Sequence, residues 1–407
     1  MMDRATVFNV RVLEVDEPEL PASPPVDVTV AGGYIESITP TAGDTPEGID
    51  GQGRWVLPGL VNAHNHLYSK ELRNPTPGND LKTMRQLIDR RDEAVTLAVM
   101  MRNAWHEMAQ GILVIRDLGA RHGLNTRLAE IFAQQTLYGP VVIAAGRPIV
   151  MTGGHVSTFG READGPAECR KAVREQRKAG AEVIKIMVSG GLSGFPEEDY
   201  TVLEYTTEEL TAITDEARKL GLPTCAHAFG ADAVRAAVGA GVDSIEHGVH
   251  LSDEVIGLMV ANGTSYVPTM ANMARIASPS MNREPRAIAR MELFTNEIVS
   301  PQIDSVRKAI KAGIKIGIGT DSTGTYLEEI TALQNAGLST QQIIRSATSV
   351  GAAICNTNAG LIAPGKRALF NLYETDPRLD VTTLVDPGAS FVHDRLFTRD
   401  KITALLN

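Results

Sequence analysis

Two histidines two residues apart, His64 and His66, close the apolar run at residues 55–61. Side chains two apart on a strand project to one face, so this pair can grip a metal ion together from a strand end. Four more groups able to bind a divalent cation stand in or at the ends of later apolar runs. Lys185 lies inside residues 183–188, His227 ends residues 222–227, His247 ends residues 242–247, and Asp321 ends residues 314–321. An unpaired ammonium among β-branched neighbours is costly to bury, which sets Lys185 apart from an ordinary surface lysine. All six fall where a strand should stop, and they read as one site.

The elements that must position them follow from the texture of the chain. Its centre alternates short apolar runs with amphipathic stretches, the pattern of βαβ units and a parallel sheet. Candidate strands are 112–117, 140–145, 182–188, 222–227, 244–247, 264–268 and 314–319; the run before His64 makes eight. Helices are expected at 91–110, 166–179, 207–220, 232–239, 300–312 and 340–355. The fold class is therefore α/β, a (β/α)8 TIM barrel, whose active sites lie at the C-terminal ends of the strands. Residues 6–15, 26–38 and 53–60, and again 367–373 and 389–393, are Val- and Ile-rich or aromatic runs between Pro and Gly clusters. Two β segments at opposite chain ends, residues 1–60 and 360–407, most simply pack on each other as a small domain beside a barrel at 61–359. Two long connections, 68–90 and 270–299, are candidate lids or pocket walls, or else surface elaborations or oligomer contacts.

With 407 residues, 43% hydrophobic and 22% charged, the sequence has the composition of a soluble globular protein. A formal charge of −10 argues against nucleic acid or an anionic membrane as partner. Residues 1–15 lack the apolar stretch of a signal peptide, and no run approaches a membrane span. Cys169, Cys225 and Cys355 are unpaired in spacing, as in a reducing compartment, so a cytoplasmic protein acting on a small molecule is expected. Cys225 shares a face with His227 and is either a soft ligand or, as the usual burial of free Cys favours, a small core residue.

The motifs Gly59-Leu60-Val61-Asn62-Ala63-His64-Asn65-His66, Val183-Ile184-Lys185-Ile186, Ala226-His227-Ala228, Ile245-Glu246-His247-Gly248 and Gly319-Thr320-Asp321-Ser322 resemble the amidohydrolase superfamily. The resemblance is closest to its Xaa-Pro dipeptidases (prolidases), N-acyl amino acid hydrolases and imidazolonepropionase-related proteins. It implies a barrel with a small composite β-sandwich domain formed by both chain ends, a binuclear site for two divalent metal ions, most often zinc, and a homo-oligomer. His64, His66 and Asp321 match the ligands of a buried ion, and His227 and His247 those of a more exposed one. Lys185 matches a lysine carboxylated by carbon dioxide to bridge both. The residue's own chemistry agrees: burial lowers the pKa of an amine, and the neutral amine can form an anionic carbamate. The alternative for Lys185 is a surface or substrate-carboxylate-binding lysine.

The expected activity is hydrolysis of a C–N bond in an amide, dipeptide or N-acyl amino acid, with a metal-bridging hydroxide as nucleophile and Asp321 as general acid/base. His155, after a Gly pair, is a candidate oxyanion donor or else a loop histidine. His250, His106, His122 and His393 are expected in loops, in packing or at the surface. Phe229, where peptidase-like relatives commonly carry Tyr or His, favours a less polar amide, carbamate or cyclic amide. Tyr68, Arg73 and Arg90 are candidates to anchor a substrate carboxylate. A deaminase would need a Glu on an HxxE pattern after His227, which Ala228, Phe229 and Gly230 do not supply. Lactone or phosphotriester cleavage uses the same binuclear site, and a non-enzymatic structural barrel would be expected to have lost ligands.

Overall fold

The computed structural model describes residues 4–41, 47–73, 81–191, 199–278, 291–292 and 294–406. Its centre is built from parallel strands that follow one another in chain order. Leu60–Asn65 pairs with Ile112–Asp117, and that strand with Val141–Ala144. Ile184–Met187, Thr224–Ala228, Ser244–His247 and Ser265–Val267 form a second parallel run. The runs meet on one side where Glu182 N–H donates to Ala144 O. On the other side residues 314–320 lie between them: Gly317 N–H donates to Tyr266 O, and Ala63 N–H to Ile318 O. The result is a TIM-barrel-like α/β fold with an added sheet.

The eighth segment departs from the expected strand at 314–319. It makes isolated parallel bridges, Tyr266 with Ile316 and Asn65 with Asp321, instead of a regular ladder. A Cβ at Gly319 would overlap Val267 and His64, so the backbone approaches its neighbours more closely than side chains allow.

Helices Glu93–Met108, Gly165–Lys178, Thr207–Lys219, Gly230–Gly239 and Ser300–Lys311 fall within a few residues of expectation. Local chemistry fixes their starts, as with the Asp92 cap and the Thr206/Glu209 capping box. The helix expected at 340–355 is two, Thr340–Ala347 and Ser349–Ile354. They break at Thr348, whose hydroxyl donates back to Ile344 O and whose φ and ψ are −130° and −96°.

Strands from both chain ends share one sheet, because Trp55–Pro58 pairs antiparallel with Leu369–Tyr373. Strand Arg4–Val12 turns its corner. Before an irregularity between Val7 and Val10 it pairs with Val28–Ala31, and after it with Val26 and then with Trp55 and Val56. Val7, Val28, Ile35, Val56, Phe370 and Phe391 thereby face one core. Of the two long connections, 68–90 contains a 3-10 helix at Leu67–Arg73 and an α-helix at Leu81–Asp89, and 270–299 begins with helix Met270–Ile276. The second also contains the helical segment Thr295–Val299; 74–80 and most of 279–293 lie outside the described residues. Among the described residues no helix is long and apolar enough to cross a membrane.

Candidate metal centre

The strand ends bring four histidine rings into one buried cluster. Ring centroids are 5.4 Å apart for His64 and His66, 5.0 Å for His64 and His247, and 4.7 Å for His227 and His247. Asp321 Oδ1 lies 3.6 Å from His66 Nε2 and 4.0 Å from His64 Nε2. His64, His247 and Asp321 each offer a ligand atom within 4.8 Å of the others. His247 and Asp321 both take left-handed backbone conformations, φ 73° and 49°, which redirect their side chains as each strand ends.

Each ring spends one nitrogen on the protein. His64 Nδ1–H donates to Glu246 Oε2 at 2.7 Å, and His66 Nδ1–H to Gly119 O at 3.0 Å. Thr269 gives its own hydroxyl proton to Pro268 O, so its oxygen accepts from His247 Nδ1–H at 2.7 Å. His227 reverses the pattern and donates from Nε2 to Gly190 O at 3.2 Å. The nitrogens left over are Nε2 of His64, His66 and His247 and Nδ1 of His227, the arrangement of metal-binding imidazoles fixed by outer partners.

Burial, above all, pushes all four imidazoles below their ordinary range and keeps them neutral, the form that ligates. Lys185 is 1% exposed, and burial likewise lowers its ammonium pKa. It lies within electrostatic reach of all four histidines and Asp321. Burial works against the charged form of Asp321, but the basic groups around it, Lys185 and Lys70 among them, outweigh it and hold the carboxyl at about 2. Among the described residues His64 Nε2 and Lys185 Nζ are buried without a hydrogen-bond partner. Orphaned nitrogens among neutral imidazoles and an ionised carboxylate fit divalent cations.

His155, expected near the site, stacks on His227 with centroids 4.4 Å apart. Its backbone N–H donates to Glu204, and a side chain at Gly191 would overlap its ring. Phe229 stacks on His247 at 5.1 Å and packs with Val249, Met273, Phe294 and Ile298 in an apolar wall. Tyr68 is buried, edge-on to His66 and Phe159, and its hydroxyl is shifted up by burial. Arg73 donates to Glu107 and Gly324 O, and Arg90 is exposed. Cys225 is buried, with Sγ 3.6 Å from Ile184 O and its thiol pushed up to about 12, the behaviour of a core residue. His106 and His122 are exposed, and His250 Nε2–H donates to Glu297 O in a loop.

Several supporting residues carry no local signal in the sequence. Glu246, unexposed, accepts from His64 and, through Oε1, from Arg116 Nη2 and Ser244 Oγ, each at 2.8 Å. Thr269, Asn272 and Lys70 also reach the site from segments after the first and seventh strands.

Residues 55–399 match the amidohydrolase family. Ochratoxinase of Aspergillus niger is 28% identical over 366 residues, 82% of this chain and 73% of that protein. An uncharacterised protein of Mycobacterium tuberculosis is 28% identical over 390 residues, 93% of this chain and 94% of its own. The structure of a Xaa-Pro dipeptidase with methionine bound in its active site superposes with a TM-score of 0.84 at 25% identity, covering 97% of this chain and 100% of that one. With its barrel-like core, its cluster of neutral histidines and a family match spanning most of its length, this chain belongs to the amidohydrolase family, the metal-dependent hydrolases of amide-type bonds.

Proposed function

We propose that the protein hydrolyses the C–N bond of a small amide carrying an apolar group beside the scissile bond. The observation that carries this reading is the convergence of four neutral histidines, Asp321 and Lys185 around buried nitrogens without partners. His64, His66 and Asp321 would hold one divalent ion and His227 and His247 a second. Lys185, attacking carbon dioxide through Nζ and losing one N–H proton to solvent, would bridge them as a carbamate. When bound, such ions, most often zinc, polarise a carbonyl and acidify a water at neutral pH.

The chain's own residues do the rest. Asp321 takes the proton of the attacking water and passes it to the departing nitrogen. His155, beside His227, donates to the developing oxyanion. Phe229 and its neighbours present an apolar wall to the substrate, and Tyr68 closes the side next to His66. Lys70, Arg73, Arg116 and Arg275, on segments around the site, are held by acids or carbonyls, which disfavours a substrate carboxylate as the main anchor. Similarity to an ochratoxinase and to a Xaa-Pro dipeptidase supports an amide-type bond as the one cleaved.

The test is a hydrolysis screen on protein expressed with zinc and bicarbonate, covering Xaa-Pro dipeptides, N-acyl amino acids, aromatic amides, carbamates and cyclic amides. Metal-dependent turnover strongest on uncharged aromatic or aliphatic amides is expected. Turnover confined to esters, or deamination without C–N hydrolysis of an amide, would overturn the reading.

A further inference from the structure

We propose that Asn272 is a positioning residue that divides the labour of Asp321, holding Oδ1 toward the histidines and presenting Oδ2 for the proton that reaches the leaving nitrogen. The proposal rests on the reading of Asp321 as proton carrier given above.

Asn272 is the third residue of helix Met270–Ile276 and is 3% exposed. Its amide orientation is dictated by Thr323. The backbone N–H of Thr323 can only donate, and it meets Asn272 Oδ1 at 3.0 Å; the Thr323 hydroxyl meets the same oxygen at 2.6 Å. Nδ2 must therefore face Asp321, and it donates to Oδ2 at 2.8 Å. The other carboxylate oxygen, Oδ1, accepts from Ser322 N–H at 2.6 Å and faces the free nitrogens of His66 and His64.

The backbone of Asp321 is pinned as well. Lys70 Nζ donates to Asp321 O at 2.6 Å and to Thr320 Oγ1 at 2.7 Å, and Thr320 in turn accepts from Asn62. The Asn272 and Ser322 bonds together fix the plane of the carboxylate, so that one oxygen always faces the histidines and the other Asn272. The amide of Asn272 neither gives up nor takes a proton. It occupies one lone pair of Oδ2 and leaves the other for the proton in transit.

Such a residue acts on the aim of the proton, and its loss is felt in proportion to how much the leaving nitrogen needs one. A 4-nitroanilide departs with little protonation, whereas an alkylamine does not. The experiment compares wild type with Asn272→Ala on two amides of one acyl group, chosen as the best acyl group from the screen, one with 4-nitroaniline and one with benzylamine as leaving group. Metal content is measured on every sample.

In Asn272→Ala, kcat on the benzylamide is expected to fall roughly 10- to 100-fold, a part of what proton transfer contributes. The fall on the nitroanilide is expected to be a few-fold at most, with KM and metal content unchanged. Thr323→Val removes one of the two bonds that orient the amide and should show the same selectivity more weakly, which keeps the test alive if Asn272→Ala does not fold. Equal losses on both substrates, or none, would overturn the role of Asn272 while leaving the amide hydrolase reading intact. A metal-loaded wild type that cleaves no amide at all would overturn that reading and the present proposal with it.

Discussion

His64 and Glu246, 182 residues apart, are joined by a 2.7 Å hydrogen bond between Nδ1–H and Oε2, with both side chains at most 1% exposed. The carboxylate fixes the tautomer of the ring and leaves Nε2 for the metal, while its second oxygen neutralises the buried Arg116. Glu246→Gln is expected to weaken metal binding about 10- to 100-fold, the usual scale for losing an outer partner. It should also destabilise the fold by about 3–5 kcal/mol by leaving Arg116 unpaired. Metal titration and denaturant unfolding check the two effects, and an unchanged affinity would show that His64 is oriented without the carboxylate.

Lys185→Ala removes the proposed carbamate bridge. Metal content, measured after expression with zinc and bicarbonate, should drop from about two ions per chain in wild type to one or fewer. A content near one that is the same in both proteins would refute the bridge and favour a mononuclear centre.

Asp321→Asn keeps an oxygen facing the histidines and removes the base. Turnover is expected to fall on the order of 10²- to 10⁴-fold, with most of the bound metal retained. Retained activity in a metal-loaded variant would sink the acid/base role.

Glu329 is buried against the start of helix Met270–Ile276, where Oε2 accepts from Ala271 N–H at 2.6 Å. Burial outweighs this and the neighbouring backbone donors and lifts its carboxyl to about 8 from an ordinary 4.5. Between those values the unfolded chain has released the proton and the native state has not. The native state then binds more protons, and stability falls as pH rises through the window. Glu329→Gln removes that slope, so denaturation curves at pH 5 and pH 8 should show the variant gaining on wild type at the higher pH. A difference independent of pH would contradict the shift.

The helix and strand texture of the barrel was legible because it is a property of neighbouring residues. Period-two alternation put His64 and His66 on one face, and amphipathic stretches between the apolar runs marked the helices. The break at Thr348 was not legible, since residues 340–355 keep helical periodicity through it and the hydroxyl's bond to Ile344 O shows only in three dimensions. Nor was the irregular eighth segment, where the backbone approach at Gly319 depends on Val267 and His64.

By itself, then, the sequence determined which six residues could converge, because run ends on parallel strands must share one rim of the sheet. Only the tertiary structure decided what supports them. Glu246 and His247 are adjacent and should point to opposite faces of a strand, yet both approach His64. The left-handed φ of His247 ends the alternation there, and strand order and register bring Arg116 and His64 to the same carboxylate. Likewise Asn272 meets Asp321 across 49 residues through packing of one post-strand segment on another. Contacts of this kind depend on which strands become neighbours, and no local pattern of residues encodes that.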